Sequence, residues 1–331
     1  MNFLFAINIS PWKRDAVKLC FPEHQIRFVQ KAQAGEGAIL RWGSGDGADL
    51  ADYIMEDGFI RSVGLGADLT KPLSLVVDSV GIYYDCTRPS QLELLLQQSE
   101  FPDALLARAD KLRQKIVAAQ LSKYNLTGNA WQRPVTSQKV VLVVGQVETD
   151  ASIRLGSPQC QRNDELLRQV RALCPDAFIL YKPHPDVVAG LRRAGRADAG
   201  DCDIADAVVV DAPMPQLLTQ VDAVHVMTSL TGFEAILRGV PVVCHGLPFY
   251  AGWGLTTDLI QTARRSRLLS VEQLVAASLI LYPHYFDAKN TRRITVEEAV
   301  DEIIKLRQQA KPFRWWLWLK RQVLRAVVGV R

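Results

Sequence analysis

Nowhere in the 331 residues do eighteen apolar residues stand in a row, so no membrane-spanning helix is expected. There is no CxxC pair and no His/Cys group at metal-ligand spacing. The six cysteines, Cys20, Cys86, Cys160, Cys174, Cys202 and Cys244, are scattered singly, which excludes the common zinc signatures and points to reduced thiols in a cytoplasmic setting. The start, MNFLFAINISPWKR, carries its charges after its apolar run and has no small-residue cleavage site, so it reads as a first buried strand and not as a signal peptide. No internal repeat or low-complexity segment occurs. The main body has no basic stripe interleaved with stacking aromatics, so nucleic acid is not an expected partner.

The formal net charge of +4 is unevenly distributed. Lys311, Arg314, Lys320, Arg321, Arg325 and Arg331 fall in the last twenty-one residues, where there is no acid; removing these six positives leaves −2 on the rest. Read as a helix after Pro312, KPFRWWLWLKRQVLRAVVGVR sets Trp315, Leu319 and Val323 in one row and Arg314, Arg321 and Arg325 on another side. That pattern suits an anionic inner-membrane surface contacted through 312–331. Packing of the last helix against the N-terminal domain is the alternative.

A chain of this length suggests two domains of about 130 to 170 residues. From residue 3 to about 127 strands and helices alternate: FLFAINI, a helix Asp15–Leu19, IRFV, GAILRWG, a helix Ala48–Met55, SLVVDSVGIYYD, and a helix from about Ser90 to Leu121. The polar segment 125–138 (NLTGNAWQRPVTSQ) is the best linker candidate. A second series follows: KVVLVVG, a helix Asp164–Leu173, FILYK, VVVDA, a helix Pro213–Thr219, AVHVM and PVVCHG. Alternation of this kind implies largely parallel sheets covered on both faces. The expected class is α/β and GT-B-like, with two Rossmann-type domains facing across a cleft: 1–130 N-terminal, 136–285 C-terminal, and 286–331 as closing helices and tail.

The densest chemistry lies between Val224 and Thr256. A buried strand runs into Thr228, Ser229, Thr231 and Gly232 at the start of a helix Phe233–Arg238, where hydroxyls and backbone N–H groups suit a phosphate. Ser229 and Thr228 as helix caps are compatible with that role. Glu234 either takes a ribose hydroxyl or favours the helix dipole. In KPHP, two prolines present Lys182 and His184 at the carboxyl end of a strand, where open α/β sheets bind ligands. His225 and His245 flank buried strands and read as core histidines. Asp150, in a loop with Gln146 and Arg154 that empties from a buried strand, either meets a substrate or caps a helix through Ser152. Glu56 and Asp57 sit where an amphipathic helix is expected to end at Gly58, near Arg61, as an acid/base pair or as solvated carboxylates.

In order along the chain stand EDGFIRSVGLG, PLSLVVDSVGIYYD, TRPSQLE, SKYNL, GQVETDASIRLG, YKPHPDV, HVMTSLTGFEAILRGVPVV and FYAGWGLTTD. Together they closely resemble the retaining β-Kdo transferases of bacterial capsule biosynthesis, the KpsC type, and related lipopolysaccharide modules, over about residues 5 to 285. The resemblance implies transfer of Kdo from CMP-β-Kdo to an oligosaccharide or glycolipid acceptor, with Asp150 as nucleophile and Glu56 as acid/base. Lys182 and His184 would stabilise the leaving CMP phosphate, with Gln146, Thr228, Ser229, Thr231, Gly232 and Glu234 also on the donor. Arg154 or Arg61 would pair with the Kdo carboxylate. No cofactor and no metal are expected, CMP-Kdo being a donor substrate. The implied setting is the cytoplasmic side of the inner membrane of a Gram-negative bacterium. KpsC-type proteins carry two such modules, and one is present here. A transferase for another CMP-linked acidic sugar, a nucleotide-sugar epimerase and a non-catalytic glycolipid-binding subunit are the alternatives.

Overall fold

The computed structural model describes residues 3–309 apart from 32–34, 36, 46–49, 65–69, 126–127, 191–194, 196 and 198–203. The expected membrane-contact segment 312–331 and Cys202 lie outside the described residues.

Five N-terminal strands, β1 (Phe3–Ile7), β2 (Gln25–Val29), β3 (Ala38–Trp42), β4 (Tyr53–Asp57) and β5 (Ser74–Asp78), begin the first sheet. Six more, β6 (Val140–Val144), β7 (Phe178–Lys182), β8 (Ala207–Val208), β9 (Ala223–Val226), β10 (Val242–Cys244) and β11 (Thr257–Asp258), make the second. Two late strands, β12 (Pro283–Phe286) and β13 (Arg293–Ile294), return to the first sheet, whose order is β13-β12-β5-β4-β3-β1-β2. The second sheet, β11-β10-β9-β6-β7-β8, is parallel throughout. Its central strand β6 is VVLVV, buried at every position, the continuous apolar run that a strand covered on both faces requires. The result is a mixed α/β fold built on two sheets, as the alternating pattern implies.

Three local expectations are corrected. The sequence pattern suggests a helix over Ala48–Met55, but Tyr53–Asp57 is strand β4, parallel to β3 and antiparallel to β5. The Tyr-Ile-Met run is too short for its spacing to separate helix from strand, and pairing on both sides decides it. The helix expected over Ser90–Leu121 is two, Gln91–Gln98 and Asp103–Ala118. Pro102 cannot continue a helix and biases Phe101 away from it. The helix expected from Phe233 begins earlier, spanning Leu230–Ile236 with Ser229 as its cap, and the turn after it closes at Gly239 with φ +72°, a left-handed conformation that glycine adopts without a Cβ penalty.

The two halves share one apolar core. Phe59, after β4, stacks on Phe249 at 4.6 Å between ring centroids and also meets Phe233 and Tyr282. Polar ties reinforce the seam: Arg264 and Arg265 both pair with the buried Glu93 carboxylate, at 2.7 and 2.9 Å, and Arg238 and Arg307 donate to the carbonyls of Leu121 and Ala119.

Candidate active site

A cavity of about 390 Å³ opens where the carboxyl ends of β6, β7 and β9 face the end of β4, a size within the range of small-ligand sites. Parallel pairing brings the loops after β6, β7 and β9 to one edge of the second sheet. Glu56, Gln146, Asp150, Lys182, His184, Thr228, Ser229, Thr231 and Glu234 all line this cavity.

Glu56 is the member contributed by the first sheet. The Tyr84 hydroxyl accepts the Ser44 N–H at 3.1 Å and donates to Glu56 Oε1 at 3.3 Å. Burial pushes the Glu56 carboxyl up from 4.5 to about 7, with the adjacent Asp57 charge adding to the rise and Lys13 and Lys123 opposing it. Asp57 is driven the other way: burial raises it, but Lys13, Arg61 and Lys123 together pull it below its ordinary value. Its carboxylate bonds Lys13 Nζ at 3.2 Å and Arg61 Nε at 2.7 Å. Neighbouring carboxyls held apart in this way divide the roles of proton carrier and fixed charge.

On the second sheet, Asp150 caps the helix Ala151–Gly156, accepting the Ser152 N–H at 2.9 Å through Oδ1. Oδ2 has no protein hydrogen bond among the described residues, so capping and a place at the cavity coexist. Gln146 braces the neighbouring loop: its Oε1 accepts the Thr228 N–H at 2.8 Å and its Nε2 donates to Thr228 Oγ1 at 3.0 Å. Lys182 Nζ donates to the Val210 carbonyl at 3.0 Å. Burial lowers its ammonium from 10.5 to about 8, against the opposing charge of Asp211. His184 caps the helix Pro185–Val188 by accepting the Asp186 N–H on Nδ1 at 3.1 Å, so a ring proton sits on Nε2. Ser229 caps its helix through the Thr231 N–H at 3.2 Å. Glu234, raised by burial, accepts the Lys123 backbone N–H at 2.9 Å.

Other expected residues are placed elsewhere. Gly232 is buried behind the cavity, where a Cβ would run into the Tyr250 hydroxyl. Arg154 is exposed on its helix and does not line the cavity. Arg61 is 1% exposed and committed to Asp57, Ser62 and the Thr70 carbonyl. His225 and His245 are core residues: His225 Nδ1 meets His245 Nε2 at 3.1 Å, and His245 Nδ1 meets Gln169 Oε1 at 2.7 Å. Burial pushes both down to about 4. Tyr84, Lys123 and Asp211 also line the cavity, and sequence reasoning does not single them out. SKYNL, which holds Lys123, is the one signal available for that lysine. Among the described residues no group of three or more His, Cys, Asp or Glu is arranged to hold a metal ion, and no helix is long and apolar enough to cross a membrane.

Comparison with known proteins identifies the family and the fold. Residues 45–285 match the family described as capsule polysaccharide biosynthesis protein. The capsule polysaccharide modification protein LipA of Neisseria meningitidis serogroup A is 44% identical over 326 residues, covering 93% of this chain and 46% of LipA. The lipopolysaccharide-processing protein LpsZ of Rhizobium meliloti is 36% identical, covering 90% of this chain and 73% of LpsZ. This chain therefore spans about half the length of the LipA proteins it matches. Among solved structures, the β-Kdo 2,7 transferase of Thermosulfurimonas dismutans KpsC superposes with a TM-score of 0.76 at 38% identity, covering 92% of this chain and 99% of that one. The β-Kdo 2,4 transferase of the same KpsC gives 0.80 at 30%, covering 92% and 98%. A family match across most of the chain, joined to two-sheet structures of the same plan, makes this chain a member of the capsule polysaccharide biosynthesis protein family.

Proposed function

We propose that the protein is a retaining β-Kdo transferase of capsule or lipopolysaccharide biosynthesis, moving Kdo from CMP-β-Kdo to a glycan acceptor. In this reading the two sheets are the halves of a GT-B enzyme. Residues 1–130 serve the acceptor side, 136–285 the CMP-sugar, and 312–331 the inner-membrane surface. The carrying observation is that Glu56 and Asp150, from opposite sheets, line one cavity with Lys182 and His184.

The proposed reaction has two displacements. The Asp150 carboxylate attacks the anomeric carbon as the carbon–oxygen bond to phosphate breaks, and CMP leaves with the bonding pair. The acceptor hydroxyl then attacks the same carbon, its proton passes to Glu56, and Asp150 is released. Two inversions leave the configuration retained. With a carboxyl near 7, Glu56 is a stronger base than an ordinary carboxylate yet is half ionised at neutral pH. Lys182, His184 and the hydroxyls of Thr228 and Ser229 meet the charge growing on the phosphate, the work a metal would otherwise do, and Glu234 serves the ribose.

The test is intact-protein mass spectrometry with CMP-Kdo generated in situ, followed by product analysis on Kdo- or hexose-terminated acceptors. A Kdo-mass adduct on the wild type that is absent from Asp150→Asn, together with a β-linked product, is the expected result. Normal turnover by Asp150→Asn would remove Asp150 as nucleophile. Transfer from CMP-sialic acid in place of CMP-Kdo would move the donor to another acidic sugar.

A further inference from the structure

The donor proposed above is anionic in two places, at the phosphate and at a sugar carboxylate bonded directly to the anomeric carbon. That carboxylate must lie within a bond or two of the carbon attacked by Asp150. Neither arginine read for it from the sequence is positioned to serve: Arg154 does not line the cavity, and Arg61 is spent on Asp57. Lys13 is spent on Asp57 as well. Lys182 belongs to the β7 edge, where its ammonium already bonds the Val210 carbonyl.

Lys123 is differently situated. It lines the cavity together with Glu56, Asp150 and Glu234, and among the described residues no carboxylate lies within ion-pair distance of its ammonium. Its contact there is the Tyr124 ring, whose centroid is 5.3 Å from Nζ. The turn that carries it is pinned from both halves of the molecule. The Lys123 N–H donates to Glu234 Oε1 at 2.9 Å, and the Lys123 carbonyl accepts the Ser62 N–H at 3.3 Å. Two residues on, the buried Asn125 adopts φ +49°. It donates from Nδ2 to the Ser62 carbonyl at 3.0 Å and accepts the Ser122 N–H on Oδ1 at 3.1 Å. Asparagine takes this left-handed conformation more readily than other side-chain-bearing residues, and both ends of its amide are bonded here. Here it fixes the backbone of a lysine that lines the same cavity as Glu56 and Asp150.

We infer that Lys123 is the receptor for the carboxylate of the transferred sugar, and so the residue by which this site selects acidic sugars over neutral ones. An ammonium held at a partly desolvated wall without its own counter-ion supplies a charge-assisted bond to an incoming carboxylate. Burial works against its charge, but Tyr124, Asp57 and Glu56 together outweigh burial and the Arg61 charge and raise its proton affinity. Because the contact exists before and during the displacement, it acts mainly on binding.

This inference rests on the transferase reading, and the experiment separates the two. CMP-Kdo, its C1-carboxamide analogue and free CMP are titrated against wild type, Lys123→Met and Lys123→Arg, with KM and kcat measured for CMP-Kdo. The expected result is a rise of at least tenfold in the KM of Lys123→Met with a smaller change in kcat, partial recovery in Lys123→Arg, and unchanged CMP affinity. The preference for CMP-Kdo over the carboxamide should be present in wild type and lost in Lys123→Met. An unchanged preference, or loss of CMP binding itself, overturns the assignment of Lys123. If wild type binds CMP-Kdo no better than CMP, the transferase reading falls and the inference falls with it.

Discussion

Replacing Glu56 by glutamine tests whether this carboxyl is held in the perturbed protonation state that a proton acceptor at neutral pH requires. The move from 4.5 to about 7, at about 1.4 kcal/mol per pH unit, corresponds to about 3 kcal/mol. The group's proton affinity is raised in the folded state, so the native protein is favoured while the carboxyl is protonated. That advantage is fully present below 4.5 and is lost as pH rises through about 7. The amide introduced by Glu56→Gln keeps the shape and the Tyr84 contact but never ionises. Denaturant unfolding of wild type and variant should therefore give similar stabilities near pH 4.5, with the variant gaining steadily to about 3 kcal/mol by about pH 8. Transfer activity should fall by about 10²- to 10⁴-fold, the usual contribution of a positioned base. Two stability curves that stay parallel across that pH range would show that Glu56 ionises normally, and the cavity would lose its proton acceptor.

Further expectations follow from the same geometry. Asp57→Asn removes a negative charge beside Glu56 and leaves Lys13 and Arg61 unpaired, so the acidic limb of the activity profile should move to lower pH. Thermal or urea unfolding should register a loss of about 3 to 5 kcal/mol for the broken buried ion group; a limb that stays in place would separate Asp57 from Glu56. In wild type, kcat/KM should rise as Glu56 ionises near 7 and fall as Lys182 deprotonates near 8, a narrow bell whose alkaline limb should vanish in Lys182→Arg. Gly232→Ala places a methyl against the Tyr250 hydroxyl and should cost about 1 to 3 kcal/mol in unfolding experiments. Transfer should survive chelation by EDTA, and inhibition reversed by added divalent ion would refute the charge assignment to Lys182 and His184. Removing 312–331 should weaken binding to anionic vesicles while sparing transfer to a soluble acceptor.

Much of the second-sheet side of the cavity could be read from the chain because local rules place it. A continuous apolar run such as VVLVV makes a parallel strand, a parallel strand ends at the ligand edge of its sheet, and the residues that follow it enter the site. Gln146, Asp150, Lys182, His184, Thr228 and Ser229 all stand at or just past strand ends in that way, and their placement needed only periodicity and the KPHP prolines. The first-sheet side was less legible. YIMED is a five-residue segment whose spacing fits helix and strand alike, and only pairing with β3 and β5 settles it. Lys123 and Tyr84 lie in turns with no periodic signal. Strand β12 pairs with β5 across some two hundred residues of chain, Pro283 beside Val76, and no short-range pattern encodes such a partner.

By itself, then, the sequence determined the α/β class, the central strands of the second sheet and the set of polar side chains delivered to that sheet's edge, since these depend on neighbours a few residues apart. Tertiary structure decided which charges remain available. Arg61 looks like a substrate-binding cation in the sequence, yet it and Lys13 are both consumed by Asp57, while Lys123 reaches the cavity without a carboxylate partner among the described residues. It also decided the state of Glu56, because a carboxyl is raised by the burial and the neighbouring charge that folding imposes on it, and neither quantity exists in the unfolded chain.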